Sequence, residues 1–205
     1  MTELLSYLTR STGVVALVLM VLAIADGLVF SGREGGRRLR PAWWMDLHRG
    51  LGGYALIFTV LHLLTAWGAG MGVRLIDALV PGVARWSTTA MTLGVLALYA
   101  LVLSTFTTWP RRLLPRKVWH VVHVLTVPAA LAAGVHGWQL GSDAGATWYL
   151  ALSLVLTAIA TYPLGLRLSG ALRRRRARHA EPTDIAPTPS AAPIASEREL
   201  VGTHR

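Results

Sequence analysis

Five long apolar runs constrain this 205-residue chain more than any other feature of its sequence. Each run is about 20 residues long, which is what an α-helix needs to cross about 30 Å of hydrocarbon. With 53% hydrophobic and only 15% charged residues, the chain suits the bilayer as its solvent. We therefore predict an all-α integral membrane protein, a bundle of five transmembrane helices with a disordered cytoplasmic C-terminal tail. The predicted spans are Thr12–Phe30, Leu47–Trp67, Thr88–Thr108, Val118–Trp138 and Thr147–Leu166.

The regions outside the spans are short. Residues 1–170 form the predicted transmembrane domain, and residues 171–205 a basic stretch followed, from about His179, by a disordered tail. Val73–Val80 fits either a short amphipathic surface helix ended by Pro81 and Gly82 or a surface loop. The first span could be mistaken for a cleaved signal peptide, but Glu3, the single basic residue Arg10 before it and the four later spans favour a retained helix.

The basic residues predict the orientation of the spans. Clusters of Arg and Lys follow the first, third and fifth spans, whereas the opposite side has few basic residues, so the positive-inside rule puts the N-terminus outside and the C-terminus in the cytoplasm. The eight tryptophans all fall near span ends, the depth that indoles prefer. The clusters are Arg33, Arg37, Arg38 and Arg40; Arg111, Arg112, Arg116 and Lys117; and Arg167, Arg173 to Arg176 and Arg178.

Composition also excludes several kinds of function. The chain has no cysteine, which removes disulfides, thiolate-bound iron–sulfur clusters and c-type haem attachment, so a metal would be held by His, carboxylate or Met. The formal charge of +10 lies in loops between apolar runs and not on a recognition surface. We therefore expect membrane lipid as a partner and no nucleic acid.

Five of the seven histidines lie within predicted spans, where an ionisable side chain is costly unless it has a partner or a function. His48 and His62 are 14 residues apart on the second span, and His123 and His136 are 13 apart on the fourth. Because these spans run in the same direction, His48 shares a level with His123 near the cytoplasmic face. His62 shares a level with His136 near the outer face. We call these the inner pair and the outer pair.

Facing imidazoles on two helices are the axial ligands that a low-spin haem iron accepts. The histidine pattern therefore predicts two b-type haems stacked across the membrane, with His48, His62, His123 and His136 as iron ligands. Gly50, Gly52, Gly53, Gly134 and Gly137 would admit a flat macrocycle, or would serve helix packing. Arg49 could pair with a haem propionate, or extend to lipid phosphate.

The fourth span cannot be a straight ideal helix, since 13 residues fall about 140° short of four complete turns. Pro128 lies between the two histidines and could change the winding or kink the helix. His120 competes with His123 as the inner ligand because residues three apart are neighbours on a helix. We prefer His123 because its depth relative to Trp119 matches that of His48 relative to Trp43.

The segments Leu47-His48-Arg49-Gly50-Leu51 through His62, and Trp119-His120-Val121-Val122-His123 through His136-Gly137, resemble the ferric reductase-like transmembrane domain. This family includes the membrane parts of NADPH oxidases, metalloreductases and the haem-binding subunit of periplasmic methionine sulfoxide reductases, and the similarity is greatest to compact bacterial versions. The resemblance covers roughly residues 5–168. It implies bis-histidine haem b and electron transfer from a cytoplasmic donor to an outer acceptor.

The sequence departs from the family in two respects. Six-helix members have one span more than the five predicted here, and no flavin and nicotinamide domain follows the fifth span within these 205 residues. We therefore expect an oxidoreductase component that depends on a cytoplasmic flavoprotein or on membrane quinol as donor, with flavin or quinone on a partner or at the membrane. The outer acceptor would be a protein or a ferric chelate.

Three other functions fit part of the pattern. A quinol-linked di-haem cytochrome of another fold also uses paired histidines. A transporter with a histidine relay would need acidic partners near the midplane, whereas Asp26, Asp46 and Asp77 are predicted at span ends or outside. A structural subunit would explain one buried histidine better than four at two matched depths.

Overall fold

The structure, a computed structural model, describes residues 2–31, 42–108 and 114–180. The regular secondary structure in these ranges is α-helix with no β-strand, which confirms the all-α prediction for this part of the chain. The described residues separate into two units, the first ending at Leu168 and the second beginning at Ser169. The helices are α1 (Thr2–Ser31), α2 (Ala42–Gly68), α3 (Leu75–Leu79), α4 (Thr88–Thr108), α5 (Arg116–Val124), α6 (Thr126–Leu140) and α7 (Thr147–Ala180).

Five helical stretches are long and apolar enough to cross a membrane, which confirms the predicted number of candidate spans. Two of them are more than ten residues longer than the apolar runs indicate: α1 begins at Thr2, and α7 continues past Pro163 and Leu166 to Ala180. Hydropathy marks only the part of a helix that suits hydrocarbon, and backbone hydrogen bonding does not stop there. The basic stretch 171–180 is therefore helical. The tail predicted to be disordered begins at about His179, but α7 still includes His179 and Ala180. The rest of that tail, from residue 181, lies outside the described residues, as do the basic links 33–40 and 111–112 and Trp109.

The fourth span consists of α5 and α6, which are separated at Leu125. Pro128 has no backbone N–H and cannot donate to the carbonyl of Val124, so the regular ladder loses a bond where α5 ends. Leu125 still donates to the Val121 carbonyl and accepts from the Ala129 N–H, both at 3.1 Å, so the chain direction is kept. The helix is thus interrupted between His123 and His136, which confirms that the fourth span is not one straight, regular helix.

Four spans contact one another around a small core. α1 packs mainly on α2, and α4 packs mainly on α6, while α1 also contacts α6 and α2 contacts α4. Each of these helices contributes one residue to a central cluster of Met20, Ala55, Leu101 and Ala130. Small residues let helix backbones approach closely, which matters in lipid because the hydrophobic effect does not drive helices together there.

The surface of the bundle is apolar. Leu131 on α6 and Leu154 on α7 are 71% and 72% exposed, which is the arrangement expected of side chains that face lipid tails. The loop between α2 and α4 contains α3, so the helical alternative for Val73–Val80 is correct, although the helix is shorter than this segment. The Arg74 backbone and side chain both donate to the Asp77 carboxylate. The hydrogen bond from the Arg74 side chain holds the pKa of Asp77 below its usual value.

Candidate functional site

The structure brings four histidines together as two facing pairs. The ring centroids of His48 and His123 lie 5.7 Å apart with the planes at 60°, and those of His62 and His136 lie 6.2 Å apart at 83°. Two imidazoles bound through nitrogen at about 2 Å on opposite sides of one metal ion would have centroids roughly 6 Å apart. His120 is exposed, and it is His123 that faces His48. Trp119 stacks on the His123 ring at 4.9 Å.

Backbone carbonyls hold both rings of the outer pair. His62 Nδ1 lies 2.8 Å from the Thr9 carbonyl oxygen on α1, and His136 Nδ1 lies 2.8 Å from the Ala90 carbonyl oxygen on α4. A carbonyl oxygen can only accept, so Nδ1 carries the hydrogen in each ring and Nε2 has the free lone pair. Histidines that bind metals usually have this arrangement, in which the second nitrogen donates to a carbonyl or a carboxylate.

Side chains hold the rings of the inner pair. Ser104 Oγ on α4 lies 2.9 Å from His123 Nδ1, and Asp26 Oδ2 on α1 lies 3.3 Å from His48 Nδ1. Both Ser104 and Asp26 are buried, with 5% and 9% exposure. In all four histidines, therefore, Nδ1 faces a group on α1 or α4, and Nε2 is the nitrogen that remains for a ligand between the rings.

Three glycines on the supporting helices leave room for the histidine rings. A Cβ at Gly13 would lie 2.8 Å from His62 Nδ1, one at Gly94 would lie 2.7 Å from His136 Nδ1, and one at Gly27 would lie 3.0 Å from His48 Cε1. Real Cβ atoms hardly ever approach another atom within 3.0 Å. Each of these three rings therefore needs a glycine on the neighbouring helix, and the same helix supplies the group that faces its Nδ1 atom.

A cavity of about 770 Å³ lies at the level of the outer pair, and both His62 and His136 line it. Sites for small molecules and cofactors usually have volumes of about 300–1,000 Å³ and mostly apolar walls. Arg10, Ser142 and Asp143 also line the cavity, and Arg10 Nη1 lies 3.0 Å from Ser142 Oγ and 3.1 Å from Asp143 Oδ1. The cavity therefore combines an apolar wall, a pair of nitrogen ligands and a polar cluster.

The five glycines that the sequence analysis expected either to admit a macrocycle or to serve helix packing fall into two groups. Among the described residues, a Cβ at Gly50, Gly52, Gly53 or Gly134 would meet no other atom within 4 Å, so these positions border open space and do not pack on another described helix. At Gly137, in contrast, a Cβ would lie 3.1 Å from the Tyr149 hydroxyl. Arg49 has a side chain that is 62% exposed, and its guanidinium lies 3.7 Å from Asp46.

The two-histidine sites suit an iron porphyrin better than a bare ion. A structural zinc ion takes four protein ligands, and among the described residues no group of three or more His, Cys, Asp or Glu side chains could hold a metal. A haem iron needs only two axial ligands from the protein, because the macrocycle supplies the other four. The ring spacing, the fixed Nδ1 atoms and the outer cavity all fit such a group.

The sequence analysis missed the residues that support the histidines. Asp26 was predicted at a span end and was given no role beside a histidine, and the structure buries it against His48. Gly13 and Gly27 are 14 residues apart, the same separation as His48 and His62, and this match was a signal in the sequence. Ser104 gave no signal, because a serine in an apolar span usually bonds to its own helix.

Comparisons of the chain with models of protein families, with curated proteins and with solved structures found no match.

Proposed function

We propose that this chain is a di-haem b membrane cytochrome of the ferric reductase-like kind, which passes electrons across the bilayer. The donor would be a cytoplasmic flavoprotein or membrane quinol, and the acceptor an outer protein or a ferric chelate. One observation carries the proposal: two pairs of histidines face each other, and in all four rings Nδ1 lies within 3.3 Å of a polar atom on another helix. Such second-sphere contacts orient rings for metal binding.

A haem held by each pair would supply one-electron chemistry through its iron. The residues of the chain bind and orient it: His48 and His123 for the inner haem, and His62 and His136 for the outer haem. The carbonyls of Thr9 and Ala90, together with Ser104 and Asp26, face the Nδ1 atoms and would leave each Nε2 for the haem iron. Gly13, Gly27 and Gly94 allow these positions sterically.

The separation of the two levels supports transfer across the membrane and not storage at one face. Fourteen residues of helix between His48 and His62 correspond to roughly 21 Å, most of the hydrocarbon thickness. The core cluster of Met20, Ala55, Leu101 and Ala130 lies between the levels. Each haem would then be near one aqueous face, with the apolar layer between them.

The same layer argues against a histidine relay for protons or metal ions. A relay needs a chain of polar groups across the midplane. Asp26 is a buried acidic partner of a histidine, but it lies at the inner level beside His48. The cluster midway between the levels is apolar, and Ala55 in it is completely buried. Electrons can pass such a layer without a polar path.

Optical spectroscopy on the purified protein tests the proposal. We expect a reduced-minus-oxidised spectrum of low-spin b-type haem at close to two haems per chain. His48→Ala and His123→Ala should each remove the same haem, and His62→Ala and His136→Ala the other. A folded protein that takes up no haem on reconstitution would refute the proposal, and variants that remove haems in a different grouping would refute the pairing.

Proteoliposomes test the direction of transfer. With a reductant enclosed and a membrane-impermeant ferric chelate outside, we expect reduction of the chelate that depends on the enclosed reductant. The double variant His62→Ala, His136→Ala should abolish it while keeping the inner haem. Chelate reduction that continues in this variant would show that electrons do not pass through the outer site.

A further inference from the structure

Three buried polar atoms converge at the inner level. Asp26 Oδ2, His48 Nδ1 and Trp44 Nε1 are shielded from solvent, and within the described ranges none of them has a well-aligned hydrogen bond. His48 Nδ1 is 3.3 Å from Asp26 Oδ2, and the Trp44 indole is close enough to act as a hydrogen-bond donor to the same carboxylate. Burying a carboxylate is costly unless it interacts with other groups, and the His48 ring and the Trp44 indole are the polar groups beside Asp26 that can offset this cost.

Asp26 is held in place by its own helix. Gly27 follows it, and the close approach of Gly27 to His48 Cε1 puts the two consecutive residues of α1 against one ring. The Asp26 side chain is 7% exposed, so water does not screen its carboxylate effectively. The carboxylate therefore acts on the His48 ring at short range and in a surrounding of low polarity.

Neither Nδ1 atom of the outer pair faces a carboxylate. His62 and His136 both face neutral backbone carbonyls, and His123 faces the neutral hydroxyl of Ser104. Of the four Nδ1 partners, Asp26 is the one that is an acid. The two haem sites thus have similar ring geometry but different electrostatic surroundings.

We propose that Asp26 is a positioning residue that lowers the reduction potential of the inner haem below that of the outer haem. This inference rests on the proposed di-haem function. A carboxylate beside the Nδ1–H group makes the imidazole a stronger electron donor, and its negative charge favours the ferric state, which has one more positive charge than the ferrous state. Electron transfer from the inner to the outer haem is then downhill, in the direction of the outer acceptor.

A redox titration of the unmodified protein gives the first test. We expect two one-electron steps, and the step at lower potential should be the one that His48→Ala removes. The His62→Ala protein, which keeps the inner haem alone, should titrate at the lower potential. If the lower step belongs to the haem that His62→Ala removes, or if the two potentials coincide, the inference is overturned.

Asp26→Asn gives the second test, made in the His62→Ala protein so that one haem is observed. Asparagine keeps the shape and removes the charge, and we expect the reduction equilibrium to shift at least tenfold toward the ferrous state, about 59 mV for one electron. Ser104→Ala, which removes a neutral partner from the same haem, is the matched control and should shift the potential less. In His48→Ala, which keeps the outer haem, Asp26→Asn should have no such effect.

The outcomes separate the inference from the proposed function. A protein that binds two haems but whose inner potential does not respond to Asp26→Asn refutes the role of Asp26 and leaves the di-haem cytochrome intact. A protein that binds no haem refutes the proposed function itself. If Asp26→Asn releases the inner haem, the titration of the unmodified protein decides whether the inference holds. It holds if the lower potential belongs to the haem that His48→Ala removes, and it is overturned otherwise.

Discussion

Gly94→Ala is the most direct test of how the outer site is built. The new Cβ would lie 2.7 Å from His136 Nδ1, 2.8 Å from Cε1 and 3.2 Å from Cγ, so it meets one whole edge of the ring. Ordinary contact begins at 3.4 Å, which means that the ring must move by about 0.7 Å. Functional side chains must usually stay within about 0.5 Å of their working geometry.

The ring cannot make this movement without losing its anchor. His136 Nδ1 donates to the Ala90 carbonyl, and Ala90 lies one turn before Gly94 on the same helix. Moving the ring away from the new methyl group stretches this 2.8 Å hydrogen bond, which contributes about 1 kcal/mol. Changes in such second-sphere contacts typically weaken metal binding 10–100-fold, or roughly 1.4–2.8 kcal/mol.

The assay is haem content at limiting haem, followed by titration with added haem. We expect Gly94→Ala to retain the inner haem and to bind the outer one 10–100-fold more weakly, so that it approaches one haem per chain. Gly165→Ala on α7, where a Cβ meets nothing within 4 Å, is the control and should keep two. Alanine is intrinsically better than glycine in a helix by about 1 kcal/mol, so general unfolding of α4 would not explain the loss. If Gly94→Ala binds both haems as the control does, the proposed packing of His136 against α4 is refuted.

Three further predictions concern other parts of the chain. His120→Ala should leave both haems bound, because His120 is exposed and His123 faces His48. The measurement is the haem content of the variant, and loss of the inner haem would refute the assignment of His123 as its ligand. Ala55→Leu should overpack the fully buried core and lower stability by about 1–3 kcal/mol, measured by thermal unfolding in detergent, whereas Ala151→Leu at an exposed position of α7 should not. Because the pKa of Asp77 is lowered in the folded chain, its ion pair with Arg74 should stabilise α3 at neutral pH. This stabilisation should be lost as the pH falls through the lowered pKa. Hydrogen-exchange protection of Leu75–Leu79 should then decline in the unmodified chain but not in Asp77→Asn.

Much of the bundle could be predicted from the sequence because its signals are local. Apolar length is a property of each segment alone, so the five candidate spans needed no knowledge of their neighbours. The 13 residues between His123 and His136 are incompatible with a straight helix, and Pro128 indicated where the winding changes. The structure places that change at Leu125, where the missing N–H of Pro128 leaves the Val124 carbonyl without its usual donor.

The supporting residues could not be predicted because they depend on which helices touch. The sequence analysis treated α1 as an ordinary apolar span, and the 14-residue spacing of Gly13 and Gly27 was its one feature that matched the histidine spacing of α2. Asp26 near its end suggested a residue at the membrane boundary. Its burial against His48 follows only from the antiparallel contact of α1 with α2, which is a tertiary property.

That contact has one register, and the register links both sites. Gly13 meets His62 and Gly27 meets His48, while Met20 and Ala55, each midway between these positions on its own helix, meet in the core. Because neighbouring residues on a helix differ in direction by about 100°, a shift of α1 by one residue would turn all three positions away from α2 together. The two histidines of α2 are thus not placed independently, since the packing that orients His62 beside Thr9 also carries Asp26 to His48. A single helix interface can therefore hold the two sites at a fixed separation and at the same time make their electrostatic surroundings different.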